Sequence, residues 1–179
     1  MKIRRRDPYE PSYNAGFCAG EPFLAFALMV QQLRILLPLP PFVMTLIIGS
    51  LVNLSLVLAG RFTAPAVIWA MSAALPAVAF MQGHLALPFM IPVVFFSNAA
   101  YAFFCKEAQR ARLRILIAPL FKASCMTAGL FAVSSLFQVG PQLVWRFLLF
   151  YGSMQWATSF LGCLFFELVA RRLAGKESV

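Results

Sequence analysis

Asn98, Lys122 and Gln155 each interrupt a long apolar run in this 179-residue chain. An ammonium and two carboxamides can hold an anionic or electron-rich ligand group: the lysine supplies charge, and the amides donate and accept along a polar edge. The acids nearest to these runs, Glu21 and Glu167, lie at run ends, so none stands beside Lys122 in sequence to neutralise it. A lysine at the centre of a membrane helix costs roughly 2.5–3.5 kcal/mol on insertion scales, so it requires a partner. Carbonyl and amide partners or an anionic ligand would serve; otherwise the side chain snorkels to the nearer surface. Asn98 and Gln155 equally suit hydrogen bonds between helices.

Other chemistries are excluded by missing residues. There is no GxxxxGK[ST] nucleotide loop and no HExxH zinc pair. His84 is the single histidine and Asp7 the single aspartate, so a Ser/His/Asp triad cannot be assembled within the apolar runs. Paired carboxylates for acid–base work are also missing. Cys18, Cys105, Cys125 and Cys163 have no CxxC or Cys/His metal spacing and read as buried free thiols. The expectation is a non-enzyme with no cofactor and no metal.

The elements that position these side chains follow from composition. Hydrophobic residues make up 61% of the chain, charged residues 12%, and the mean hydropathy is +0.81. Soluble domains average about 45–50% apolar and about 25% charged residues, and a domain this small has too little interior to hide the excess. The bilayer is therefore the expected solvent. A spanning helix needs about 20 mainly apolar residues, and the chain divides into six: Gly20 to Leu37, Phe42 to Ala59, Ala64 to Met81, Leu87 to Phe104, Ile115 to Phe137, and Leu143 to Val169. Pro38, Pro40 and Pro41, then Gly60 with Arg61, Gln82 to His84, the basic segment Lys106 to Arg114, and Gly140 with Pro141 separate them. The predicted fold is an all-α membrane protein, one compact six-helix bundle. It comprises a basic tail (1–14), the membrane domain (15–173) and a short C-terminal tail (174–179). The polar segment Asp7 to Asn14 separates the N-terminal charges from the first apolar run, so helix 1 is expected to be retained rather than cleaved.

Charge gives the orientation. With the N-terminus cytoplasmic, twelve of the fifteen Lys and Arg residues fall inside: Lys2, Arg4, Arg5, Arg6, Arg61, Lys106, Arg110, Arg112, Arg114, Arg171, Arg172 and Lys176. The exceptions are Arg34, Lys122 and Arg146. This bias puts both termini in the cytoplasm of a multi-pass protein of the cell membrane. The net charge of +9 is thus a topology signal that also touches anionic lipid, not a nucleic-acid patch. At about 1.5 Å rise per residue, Lys122 lies about 10 Å deep, Asn98 about 16 Å and Gln155 about 18 Å. All three fall near mid-membrane on consecutive helices.

A second polar set, Gln31, Gln32, Arg34, Gln82, His84, Gln142, Trp145 and Arg146, lies toward the outer face, where interfacial anchoring accounts for most of it. Arg34 and His84 from this set join the substrate-binding candidates. Trp69 and Asn53 line a cavity or merely pack. Ala15/Ala19 and Gly16/Gly20 are small residues four apart, a spacing that lets another helix approach closely.

The layout resembles the substrate-binding S components of energy-coupling factor (ECF) transporters. The resemblance rests on LPLPPFVMTLIIGSLVNLSLVLAG and on LPFMIPVVFFSNAAYAFF with Pro88, Pro92 and Asn98. It rests also on FKASCMTAGLF with Lys122 and on GSMQWATSFLG with Gln155, Thr158 and Gly162. Together these cover about Ala25 to Arg172. The resemblance implies a vitamin or other micronutrient bound in an outward-facing pocket built mainly from helices 4, 5 and 6. It also implies a membrane scaffold subunit and two cytoplasmic ATPases as partners. Lys122 would then meet an anionic or electron-rich ligand group such as a carboxylate. Asn98 and Gln155 would bind a polar edge, and Trp69, Trp145 or Trp156 would stack on a ring. Small residues of helix 1, among them Ala25, would face the scaffold. The alternative is a non-transport membrane scaffold or assembly subunit whose polar residues serve helix packing alone.

Overall fold

The computed structural model describes residues 21–85, 87–138 and 140–174, and its described secondary structure is all helical. The helices are α1 (Glu21–Leu36), α2 (Pro41–Phe62), α3 (Pro65–Met81), α4 (Met90–Glu107), α5 (Ala111–Leu136), α6 (Pro141–Phe147) and α7 (Ser153–Ala174). A π-helical turn, Leu148–Gly152, joins α6 to α7. Two of them, α2 and α5, are long and apolar enough to cross a membrane by themselves.

Several boundaries differ from the sequence expectation. Pro41, Pro65 and Pro141 start helices instead of merely ending the preceding ones. The first helical turn needs no N–H from the residue, and the fixed φ of proline suits it. The expected turn at Gly60 and Arg61 is helical, and α2 runs on to Phe62. Gly60 is where α2 meets α4: a Cβ there would lie 2.6 Å from the Ala102 carbonyl oxygen. The basic segment shrinks to a connection at Ala108–Arg110, because α4 extends through Glu107 and α5 begins at Ala111. The expected sixth helix is interrupted by the π turn, whose widened backbone leaves carbonyls to satisfy. The Ser153 hydroxyl donates to Leu149 O at 2.5 Å and to Phe150 O at 3.2 Å.

Helix α2 is the hub, packing on α1, α3, α4 and α7, while α5 closes against α4 and α7. A large apolar cluster of Leu56, Val57, Ile68, Met71, Tyr101 and Phe166 fills the end where α2 and α4 finish. A smaller cluster around Met90, Met126, Leu130 and Leu148 lies where α4 and the π turn begin. The outer faces remain apolar: Met29, Ile35, Leu36, Met81, Leu136 and Leu149 are all strongly exposed. Buried positions, by contrast, include Gln31, Asn53, Asn98, Arg114, Lys122, Thr158 and Glu167. The bundle is thus greasy outside and polar at several interior points.

Candidate functional site

The interior polar groups converge because glycines let two helices touch. Gly49 and Asn53 stand four apart on α2, and Thr158 and Gly162 stand four apart on α7. Each glycine faces the other helix's polar residue: a Cβ on Gly49 would lie 2.7 Å from the Thr158 Cγ2, and one on Gly162 2.8 Å from the Asn53 Cβ. This close approach allows Asn53 Nδ2 to donate to Thr158 Oγ1 at 3.1 Å. Thr158 Oγ1 in turn donates back to its own helix at Met154 O, 2.8 Å away.

Lys122 enters the same network from α5. It is only 2% exposed. Its Nζ donates to Asn53 Oδ1 at 2.5 Å and sits 5.0 Å from the centroid of the Tyr101 ring. Tyr101 is itself fixed from below, its hydroxyl donating to Ser159 O at 3.0 Å and touching Cys163 Sγ at 3.0 Å. The amine therefore points inward, toward α2 and α4, and does not snorkel. An amide oxygen and an aromatic face are the partners of this buried cation, and its remaining donor capacity stays open.

That capacity faces a cavity of about 120 Å³ at the centre of the bundle. Lys122, Asn98 and Gln155 all line it, as do Asn53, Thr158, Gln31 and Thr45. The three side chains singled out by sequence thus share one space. Its walls come from α1, α2, α3, α4, α5 and α7, more helices than the three expected. Two acceptors on lining residues are buried without a hydrogen-bond partner among the described residues: Gln31 Oε1 and Gln155 Oε1. Gln31 is held in place by its other amide atom, Nε2 donating to Leu75 O at 3.2 Å.

Arg34 and His84 are not among the residues lining the cavity; Arg34 Nη2 donates to the lining residue Thr45, at Oγ1, 3.1 Å away, and Arg34 Nε is buried with no partner among the described residues. His84 stands near it on the α3–α4 connection. Gly83, with φ +72°, reverses the chain there, and His84 N caps α3 by donating to Ala79 O at 2.8 Å. Desolvation, and then the Arg34 charge, hold the His84 imidazole below the ordinary histidine value.

The other candidates lie elsewhere. Trp69, 45% exposed, packs outside the bundle on Phe95 and Phe103. Trp156, 43% exposed, stacks on Phe160. Neither lines the cavity, because each falls on the outward side of its helix; Trp145 is likewise exposed. Ala25 is exposed on α1, whereas Ala15, Ala19, Gly16 and Gly20 lie outside the described residues. The sequence leaves Asn53 open between lining and packing and places Gln31 with the outer-face anchors; the structure puts both on the cavity. The four-residue spacings Gly49/Asn53 and Thr158/Gly162 were the signal that would have promoted Asn53 and Thr158.

Arg114 was counted as an orientation charge, yet it is buried. Its Nε and Nη2 bind Glu167 Oε1 at 2.7 Å and 2.5 Å, and its Nη1 donates to Ala108 O and Gln109 O. This pair locks α5, α7 and the α4–α5 connection at the end opposite Arg34. No family model, curated protein or solved structure matches this chain.

Proposed function

We propose that this is a multi-pass membrane protein with six spans and both termini cytoplasmic, in which α6, the π turn and α7 form the sixth span. Its cavity captures a small anionic molecule, and it serves as the substrate-binding subunit of an ATP-driven importer of the energy-coupling factor type. A membrane scaffold subunit and two cytoplasmic ATPases are its partners. The membrane reading is supported by an exterior that exposes many large apolar side chains while several polar and charged groups are buried inside. Orientation is supported by the separation of charge. Arg61, Lys106, Arg110, Arg112, Arg171 and Arg172 gather at the end fixed by the Arg114–Glu167 pair.

The observation that carries the binding reading is the Lys122 amine, buried beside the cavity with an amide oxygen as its hydrogen-bond partner and no acid beside it among the described residues. A ligand carboxylate would supply the missing charge, and Asn98 and Gln155 would flank it. The cavity is smaller than the roughly 300–1,000 Å³ of pockets for drug-sized ligands. The ligand is therefore small, or the bundle widens to admit it.

The test is native mass spectrometry after mild detergent extraction, together with a binding assay on Lys122→Met. A retained small anion, and at least about a tenfold loss of affinity in the variant, about 1.4 kcal/mol, are expected. Extraction with neither a bound small molecule nor co-purifying ATPases would defeat the importer reading. A second reading, a scaffold subunit, draws on the Lys122–Asn53–Thr158 chain, which by itself ties α5, α2 and α7 together. In that case Lys122→Met lowers stability and changes no ligand affinity.

A further inference from the structure

One basic group, Lys122, lines the cavity, and a second, Arg34, stands just outside its lining. Arg34 reaches it through Thr45, and Lys122 through Asn53. Thr45 and Asn53 are both cavity-lining residues of α2. They are eight residues apart, so about 12 Å separates them along the helix axis at 1.5 Å per residue. Glu21, Glu107 and Glu167, the described acidic residues, all sit at the opposite end of the bundle from Arg34. Neither cation therefore has a protein counter-ion within the cavity, and both keep unused donors: Arg34 Nε is buried and unpartnered, and Lys122 has one hydrogen-bond acceptor for three N–H groups. On the same cavity, Gln31 Oε1 is a buried acceptor without a donor among the described residues.

Resting on the small-anion reading above, we infer that the ligand is a linear molecule with an acidic group at each end, an α,ω-dicarboxylate in chemical class. One carboxylate meets Lys122 and the other meets Arg34 at the rim. A polar substituent on the chain that carries an N–H or O–H would satisfy Gln31. The guanidinium suits the outer end, since its planar fork takes a carboxylate in two parallel hydrogen bonds. A monoanion fills only one of the two positions and leaves the other cation unpaired.

The experiment uses the full chain in lipid nanodiscs at low salt. Isothermal titration compares linear dicarboxylates from succinate to suberate with monocarboxylates of the same chain length, for the native protein, Arg34→Gln, Arg34→Lys and Lys122→Met. The best dicarboxylate is expected to bind about tenfold tighter than its monocarboxylate counterpart, about 1.4 kcal/mol. Arg34→Gln weakens the dicarboxylate by about tenfold and the monocarboxylate by less, so that the preference is lost, Arg34→Lys restores part of it, and Lys122→Met weakens both classes. Equal binding of the two classes by the native protein overturns the two-ended ligand and leaves the small-anion reading standing. Absence of binding by every acid in the series overturns both. Thermal melts of each variant identify any that has lost its fold. If Arg34→Gln has, Thr45→Val, which removes the arginine's anchor, takes its place and is expected to weaken the dicarboxylate preference.

Discussion

Asn53 and Gly162 are in van der Waals contact across the α2–α7 interface, with no room between them for a methyl group. A Cβ on Gly162 would approach Asn53 Cβ to 2.8 Å and Leu54 N to 2.9 Å. The second of these atoms is backbone and cannot swing aside. Gly162→Ala should therefore force α7 away from α2, at about 1–3 kcal/mol typical of overpacking. A lower melting temperature in detergent is expected, together with weaker ligand binding, because the same displacement moves the acceptor of Lys122. An unchanged melt would show that the helices separate freely.

Asn53 binds in both directions, accepting from Lys122 Nζ and donating to Thr158 Oγ1. Its two bonds should differ in worth. Thr158→Val removes one neutral partner, about 1 kcal/mol, whereas Asn53→Leu strips a buried cation of its hydrogen-bond acceptor and should cost more, about 1.5–3 kcal/mol. Combining Asn53→Leu with Lys122→Met should recover part of the loss, since no unpaired ammonium remains. Chemical denaturation of the four proteins as a double-mutant cycle measures the coupling; additive costs would mean that the pair is not linked.

The Arg114–Glu167 pair is buried on both sides, 7% and 6% exposed. Removing one partner leaves the other charged and enclosed, so Glu167→Ala should destabilise by about 3–5 kcal/mol. The double replacement Arg114→Met with Glu167→Leu should cost much less, because burying two charges is itself unfavourable. The comparison is read from melting temperatures of the single and double variants.

His84 supplies a pH dependence. Its folded value lies below the ordinary 6.5, chiefly through desolvation and secondarily through Arg34. The unfolded chain therefore takes up the proton more readily than the folded one. Stability associated with the neutral imidazole is present above about pH 6.5 and is lost as pH falls below it. The melting temperature should drop between about pH 7.5 and about pH 5.5, and His84→Gln should flatten that part of the curve.

Much of this was legible in the sequence because hydrophobic length and charge spacing survive folding. Six apolar runs became the helical bodies of the bundle. Asn98, Lys122 and Gln155 met at one cavity because depth along a helix can be counted. Rotation about a helix was harder to read. Trp69 and Trp156 face outward, and helices apolar all round carry no stripe that tells inside from outside. The pairing of Arg114 was not legible because its acid, Glu167, is 53 positions away and only packing brings them together.

The π turn at Leu148–Gly152 sets the phase of everything after it. Each residue of an α-helix advances the side-chain direction by about 100°, from 3.6 residues per turn, and a π turn accommodates one more residue than the regular helix would. Gln155 and Thr158 look inward, and Trp156 outward, only because that extra residue has already been absorbed. Were this wide turn to tighten into ordinary helix, α7 would have to swivel by one position or the segment before it would have to shift. Either change would carry Gln155 and Thr158 past the lysine, so a local winding defect on one helix serves as the bundle's combination dial.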